Sequence, residues 1–572
     1  MIDKKEFLGI IESVDGEPRS DYKRLLGDFD FTRYVVKIGD SGGFDNDIPL
    51  TIRVPQIVAG FPEEIFATPV RRMALEDYLT RCLDDFFQQL ASFDEDGVAY
   101  RHLSVAAPGQ KILPRTSLVV AEDYIEAQIA MRLPQNNGLI SGVELESIFF
   151  DEIQEAVNMA LVFCNLDYAE LNQFLDIMED AGKIRQLLPS QGLISFVGEY
   201  SLLEREPYSD IPAEYQVDLE IDEDLKIELD VPNLEKIKGL GIKDGITLIL
   251  GNEYSGRSEL MHAIAAGIYN HVPGDGREFV TSVPGAVFIC EEPGRSIQKV
   301  DLTPFIVADE DTLISEFTTD DAEGFESQAA AVIENLQIGA RVFLFDEASS
   351  SASFLSTDPR LSGLLNGGET KTISLAARTR QMVEELGVSI VVAGSGSVSE
   401  FIPIADTILL IDDYVIRDVT KEAKEMGIEY VAPPELERGF RELVDRERWI
   451  VPSSIDSSSG IDDAHVEAYD RQLLEFGRSV IDLGAVTQLA DVYQTKTIGQ
   501  VLYYLKLRYL GESNSMSRVM DAIDHDLSTE GLDCLSPEKR PDLVRPRRYE
   551  IAAALNRLPT FRIAKIEAVA RQ

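Results

Sequence analysis

The sequence contains little cysteine, histidine and tryptophan: 4 Cys, 5 His and 1 Trp among 572 residues. The four cysteines, Cys82, Cys164, Cys290 and Cys534, lie far apart and form no CxxC pair. This spacing excludes a disulfide framework and argues against a cysteine-based zinc site.

Long apolar runs and positive charge are also scarce. No run approaches the roughly 18 residues of a membrane-spanning helix, and the opening MIDKKEFLGI lacks the apolar core of a signal peptide. Asp and Glu number 100 against 53 Lys and Arg, which gives a net charge of −47. Such a surface repels phosphate backbones and anionic lipid. We therefore expect a cytoplasmic protein without general nucleic-acid or membrane affinity, and the acidic surface also suits a salt-tolerant host.

The length predicts several domains. Residues 1–205 read as an amino-terminal α+β domain, with helical spacing at Leu75–Leu90 and strand-like alternation at Thr116–Met131. Residues 206–430 read as an α/β core. Residues 431–572 read as a mainly helical carboxyl-terminal domain with a basic end, in which we expect no further strands.

Short apolar segments alternate with helical segments in the middle of the chain. They are GITLIL, AVFIC, RVFLF, VSIVVAG and DTILLID. Strands that are buried on both faces and separated by helices predict a mostly parallel sheet flanked by helices.

A glycine-rich loop follows the first of these strands. Gly251, Gly256, Arg257 and Ser258 have the spacing G-x-x-x-x-G-K-[ST], with Arg in place of Lys. In such a loop, backbone N–H groups surround a triphosphate at a helix N-terminus, and the hydroxyl binds Mg²⁺. The alternative is a glycine-rich turn that binds nothing.

Two carboxylates end the strand RVFLF about 90 residues further on. Asp346 is the predicted Mg²⁺ ligand, and Glu347 is the predicted catalytic residue that polarises the attacking water. Strands that end in acids are common without such a role, but the phosphate loop upstream favours the functional interpretation.

Longer runs carry a resemblance to a known family. They are AGFPEEIFATPVRRMALEDYLTR, PGQKILPRTSLVV, IKGLGIKDGITLILGNEYSGRSEL, TKTIGQVLYYLKLRY and RPRRYEIAAALNRL. On these runs the chain resembles the soluble predicted ATPases of the ABC class, whose members include an RNA-binding protein of the trypanosome mitochondrion. The resemblance implies an ABC-type P-loop core that binds ATP and Mg²⁺ between two subunits of a homodimer.

The phosphate loop departs from the family pattern, which reads roughly GGGYHGKSTL. The chain keeps Gly251, Tyr254, Gly256 and Ser258 but differs at Asn252, Glu253, Ser255, Arg257 and Glu259. Two departures place carboxylates beside the expected phosphates. We expect the nucleotide to contact eight loop residues: Gly251, Asn252, Tyr254, Ser255, Gly256, Arg257, Ser258 and Glu259.

The segment AEGFESQAAAVIENL lies where ABC-type ATPases carry the signature loop that acts on the partner's nucleotide. The resemblance assigns that role to Gly324, Ser327 and Gln328, although an ordinary helix start fits the spacing equally well. Gly394 to Gly396 lie where these enzymes usually carry a histidine, and no histidine is near in the sequence.

The carboxyl end is basic, with nine Lys or Arg against four acids from Ser536 onward. Arg545, Arg547 and Arg548 could contact RNA phosphates with Tyr549 stacking a base. The other interpretation, which we favour, is structural: these arginines pair with the abundant acids of the chain.

Two functions follow from these patterns. The first is a soluble ABC-class ATP-binding protein that hydrolyses ATP with Mg²⁺ as a homodimer and could be coupled to RNA. The second is a nucleotide-gated scaffold with little or no catalysis that binds RNA or protein.

Overall fold

The structure is a computed structural model that describes residues 2–40, 47–93, 99–307, 313–357, 372–460, 464–511 and 514–568. The chain divides into two compact units. Unit 1 comprises residues 1–179 and 526–545, and unit 2 comprises residues 180–525 and 546–572.

The first twelve strands that the structure describes belong to unit 1. They are β1 Ile2–Asp3, β2 Gly27–Asp30, β3 Val35–Ile38, β4 Asp47–Pro55, β5 Ser92–Phe93, β6 Ala99–Tyr100, β7 Leu103–Ser104, β8 Lys111–Ile112, β9 Leu118–Val120, β10 Tyr124–Arg132, β11 Gln135–Asn136 and β12 Leu139–Ile140. The main sheet has the order β1-β2-β3-β4-β10-β7, and β9 also pairs with β10. The alternation predicted within Thr116–Met131 is therefore confirmed as β9 and β10.

In the amino-terminal part of the chain, the residues that the structure describes include six α-helices. They are α1 Lys4–Val14, α2 Gln56–Ala59, α3 Pro69–Gln89, α4 Gly142–Ser147, α5 Ile153–Ala160 and α6 Tyr168–Leu187. The helix predicted at Leu75–Leu90 lies within α3. This helix starts with Pro at its first position, and the side chain of Thr68 accepts a hydrogen bond from the N–H of Arg71.

The remaining strands belong to unit 2. They are β13 Leu193–Gly198, β14 Glu220–Ile221, β15 Lys226–Asp230, β16 Lys236–Lys243, β17 Ile246–Leu250, β18 Asn270–His271, β19 Val280–Ser282, β20 Ala286–Phe288, β21 Ile297–Val300, β22 Phe317–Thr319, β23 Val342–Asp346, β24 Ser389–Gly394, β25 Thr407–Asp412, β26 Val415–Asp418, β27 Arg446–Ile450, β28 Val466–Ala468, β29 Leu473–Phe476, β30 Ser479–Asp482 and β31 Ile563–Ala568.

The described residues after Leu187 contain nine further α-helices. They are α7 Arg257–Ala266, α8 Gly324–Gln337, α9 Ala352–Leu355, α10 Leu375–Leu386, α11 Thr420–Glu425, α12 Phe440–Val444, α13 Val492–Tyr509, α14 Met516–Thr529 and α15 Arg548–Arg557. The expectation that strands stop near residue 430 is wrong, because β27 to β31 lie beyond it. Strands β28, β29 and β30 form a small antiparallel sheet before the long helix α13.

The central sheet of unit 2 has the order β14-β26-β25-β17-β24-β23-β20. Its five neighbouring strands β25, β17, β24, β23 and β20 run parallel, which confirms the predicted α/β core. Apolar side chains of these strands, including Leu248, Phe343 and Ile390, form one core with the alanine-rich face of α8. The burial of both sheet faces explains why these strands read as continuous apolar runs.

The register of this sheet determines where the functional loops lie. Leu250 at the end of β17 is opposite Gly394 at the end of β24, and Ala393 is opposite Asp346 at the end of β23. The carboxyl ends of three parallel strands therefore share one edge of the sheet, which is where α/β folds bind ligands.

Candidate functional site

The phosphate loop connects β17 to α7, and two glycines allow its backbone to turn tightly. Gly256 has φ +90°, and a Cβ added there would lie 2.8 Å from the ring of Tyr414. A Cβ on Gly251 would lie 2.5 Å from Ser255 Oγ. Position 256 therefore requires glycine, whereas position 251 leaves little room for a side chain, and the backbone turns closely before the helix begins.

The N-terminus of α7 is free of a side-chain cap. The helix begins at Arg257, and its N-cap is Gly256, which has no side chain to accept a hydrogen bond. The first N–H groups of a helix lack intrahelical partners and carry a partial positive charge. This arrangement suits a phosphate group.

Arg257 lies inside the loop and is only 8 % exposed. Its Nη1 donates a hydrogen bond to the carbonyl oxygen of Gly251 (2.8 Å). Its guanidinium nitrogens lie 3.7 Å from Asp346 Oδ1 and 3.6 Å from Glu347 Oε2. One positive charge thus connects the phosphate loop to both predicted acids.

Asp346 is almost completely buried at the end of β23. Its Oδ1 accepts a hydrogen bond from the N–H of Ala348 (3.3 Å), whereas the buried Oδ2 has no hydrogen-bond partner among the residues that the structure describes. A buried carboxylate oxygen without a partner is costly. It is also the kind of ligand that Mg²⁺ uses, so the site fits this ion.

Glu347 is held by the turn that follows β24. Its Oε2 accepts a hydrogen bond from the N–H of Ser395 (2.7 Å), and the hydroxyls of Ser395 and Ser397 also donate to its carboxylate. Burial acts to raise the pKa of Glu347, but the hydrogen bonds from both serines and the charge of Arg257 lower it below its ordinary value. The carboxylate is therefore ionised at neutral pH.

Sequence reasoning did not identify these two serines as partners of Glu347. The available signal was the motif VVAGSGS, which lies where a histidine is usual. The register of β23 and β24 brings this motif to Glu347 across about 50 residues of sequence.

The other loop residues differ in exposure. Asn252 and Tyr254 are exposed, and Tyr254 has φ +63°. The hydroxyl of Ser255 is buried and has no hydrogen-bond partner among the described residues. Ser258 and Glu259 lie half-buried in the first turn of α7.

The three predicted signature residues begin α8. A capping box of Glu323 and Glu326 closes the N-terminus of this helix, starting at Gly324. Ser327 and Gln328 are buried, and Gln328 contacts the chain just after the Asp346–Glu347 pair, at Ser350 Oγ (3.0 Å) and the N–H of Ser351 (2.8 Å). Among the described residues, no hydrogen bond or ion pair joins these three to the phosphate loop.

Arg545, which belongs to unit 1, donates hydrogen bonds to Leu527 O and Ser528 Oγ. Its guanidinium group is engaged within the chain.

Arg547 and Arg548, which belong to unit 2, are likewise engaged. Arg547 pairs with the buried Glu550, and Arg548 pairs with Asp521 and Asp524. These contacts agree with the structural interpretation of the basic end.

Three family models match the chain in order. The model described as the N-terminal domain of ATPases of the ABC class matches residues 4–164. A P-loop domain model of ABC ATPases matches residues 167–442, and the model of the MRB1590 C-terminal domain matches residues 465–564. Together they span nearly the whole chain.

Among curated proteins, the chain is 26 % identical over 310 residues to the uncharacterised protein MJ1628 of Methanocaldococcus jannaschii. The match covers 49 % of this chain and 65 % of that protein. Among solved structures, cbiO1 of Clostridium perfringens, part of the ABC transporter complex cbiONQ, is 15 % identical with a TM-score of 0.24. That match covers 41 % of this chain and 91 % of cbiO1. Within the described part of this chain, no helix has the length and hydropathy needed to cross a bilayer.

Proposed function

The chain belongs to the ATPases of the ABC class, and from this premise we propose that it binds Mg-ATP and hydrolyses it as a cytoplasmic homodimer. The observation that carries the proposal is the meeting of the phosphate loop with Asp346 and Glu347 at one edge of the central sheet, where Arg257 lies within 4 Å of both carboxylates.

The residues at this edge divide the chemistry between them. The uncapped amides of α7 and the charge of Arg257 bind the phosphates. Ser258 and Asp346 would hold Mg²⁺, which neutralises charge on the transferred phosphoryl group. Glu347 orients and polarises the attacking water, since its carboxylate is partly open to solvent.

A matched pair of glycine variants tests nucleotide binding by the loop. Gly256→Ala strains φ +90° and drives a methyl group into Tyr414, so we expect it to abolish binding of a fluorescent ATP analogue. Gly274→Ala imposes similar strain at φ +87° with no atom within 4 Å, and should leave affinity unchanged. Equal affinities in both variants would place the nucleotide elsewhere.

The scaffold remains the second candidate because of the α8 N-terminus. Its amides already face the carboxylates of Glu323 and Glu326, which oppose the approach of a partner's γ-phosphate. In a scaffold, nucleotide stabilises a dimer that holds RNA or protein. RNA would have to displace the internal partners of Arg545, Arg547 and Arg548.

Glu347→Gln distinguishes the two candidates. In a hydrolase this variant binds Mg-ATP normally, loses turnover and accumulates as a nucleotide-bound dimer. In a scaffold, nucleotide binding and dimer content match the wild type and neither protein releases phosphate. Phosphate release and light scattering measure both properties on the same samples.

A further inference from the structure

The turn after β24 contacts both halves of the proposed site. The carbonyl oxygen of Gly394 accepts a hydrogen bond from the N–H of Gly251 (3.2 Å). The N–H of Ser395 donates to Glu347 Oε2 (2.7 Å). This carbonyl and this N–H belong to the same planar peptide group. One rigid unit therefore joins the first residue of the phosphate loop to the predicted catalytic carboxylate.

The serine hydroxyls complete the contact with Glu347. Ser395 Oγ lies 2.9 Å from Oε2, and Ser397 Oγ donates to Oε1. A carboxylate offers about four acceptor positions, and these two serines supply three hydrogens to it. About one acceptor position remains, on a side chain that is 25 % exposed. Glu347 is therefore fixed in orientation while it stays open to a single water.

The conformation of Ser395 argues against a purely structural role. Ser395 is the N-cap residue of the 3-10 helix Gly396–Phe401, yet its side chain makes no capping hydrogen bond to that helix. Serine at an N-cap ordinarily accepts a hydrogen bond from a helical N–H. Here the hydroxyl of Ser395 donates to Glu347 instead. The hydrogen bond to Glu347 therefore replaces the capping hydrogen bond that a serine at this position would ordinarily make.

We propose that Ser395 and Ser397 are positioning residues that orient Glu347 toward the attacking water. Ser395 lies within the stretch from Gly394 to Gly396, where a histidine is usual in the family. Because the Gly394–Ser395 peptide also binds Gly251, the position of the phosphate loop and the orientation of Glu347 are coupled. This inference rests on the proposed hydrolysis of ATP.

The test compares four variants for Mg-ATP turnover and for affinity toward a fluorescent ATP analogue. Ser395→Ala and Ser397→Ala each remove one hydroxyl, and Ser397→Thr keeps it. Ser399→Ala is the matched control, since Ser399 lies in the same short helix and no hydrogen bond among the described residues joins it to Glu347. Thermal melting of every variant confirms that it is folded.

We expect the two alanine variants to lose kcat by on the order of 10- to 100-fold, because a displaced catalytic group costs that much, while nucleotide affinity stays at the wild-type value. Ser397→Thr keeps the hydroxyl and should therefore retain most of the wild-type kcat. Ser399→Ala should have the kcat and the nucleotide affinity of the wild type.

Wild-type kcat in both alanine variants would overturn the positioning role and leave the hydrolase intact. An equal loss of kcat and affinity in all three alanine variants would also overturn it, since the turn would then be only structural. A wild-type protein that binds nucleotide without turnover overturns this inference together with the hydrolase assignment.

Discussion

Arg257 stands where the phosphate loop usually has a lysine, and it changes how the loop can bind a phosphate group. A lysine would present a compact charge on a flexible stem, whereas the guanidinium is planar and donates in fixed directions. In this chain the guanidinium of Arg257 donates to the carbonyl oxygen of Gly251 and lies near the carboxylates of Asp346 and Glu347. A triphosphate that enters the loop must draw Arg257 away from these internal partners, so its net gain is smaller than that of a free charge.

Glu76 on α3 is expected to make the stability of unit 1 depend on pH. Burial raises the pKa of Glu76 to about 7, despite the N–H of Val120 and the charge of Arg72 that oppose the shift. Between the unfolded pKa and about 7, the folded chain keeps a proton that the unfolded chain has released. The stability of unit 1 should therefore fall as pH rises across this interval and level off above it.

Glu76→Gln should remove this fall and stabilise unit 1 by about 3 kcal/mol at pH 8, since a shift of about 2.5 pKa units corresponds to about 1.4 kcal/mol per unit. Denaturant unfolding at several pH values between 5 and 8 measures the effect. Glu12→Gln, at an exposed position of α1, is the control and should follow the wild-type curve. A Glu76→Gln curve that parallels the wild type would show that Glu76 is already ionised when folded.

At the scale of secondary-structure elements, the first turn of α8 provides a test of the proposed dimer. Its first turn carries Glu326 at the third helical position, where the side chain closes the capping box. Glu326→Gln keeps this hydrogen bond and removes the negative charge. If α8 faces the partner's nucleotide, the variant should form the nucleotide-dependent dimer at lower protein concentration, as measured by analytical ultracentrifugation.

Glu6→Gln is the matched control for this variant, because Glu6 occupies the same third position of α1. It should leave the dimer equilibrium unchanged. If Glu326→Gln and Glu6→Gln both behave as the wild type does, α8 does not face the nucleotide of a partner.

An element could be predicted from the sequence when a few neighbouring residues are enough to identify it. The strands β17, β23 and β24 were predicted because burial on both faces leaves continuous apolar runs. The strands β28 to β30 were missed because they are three or four residues long and only partly buried. Similarly, the adjacency of Asp346 and Glu347 is local, whereas the contact of Glu347 with Ser395 depends on strand register.

At the scale of the whole molecule, the net charge of −47 implies strong self-repulsion in the folded state. Salt screens this repulsion, since the Debye length falls from roughly 10 Å at 0.1 M to about 3 Å at 1 M. We expect the melting temperature to rise by several degrees between 0.05 and 1 M NaCl, and KCl to act equally. A melting temperature that falls with added NaCl would show that ion pairs outweigh the repulsion.

The most direct test of the central claim is the binding and turnover of Mg-ATP by the purified protein at low and molar salt, beside Arg257→Lys. We expect the wild type to bind Mg-ATP and hydrolyse it, and Arg257→Lys to bind more tightly because lysine is not held by the Gly251 carbonyl. Absence of nucleotide binding by both proteins at every salt concentration would show that the loop from Gly251 to Ser258 is not a nucleotide site.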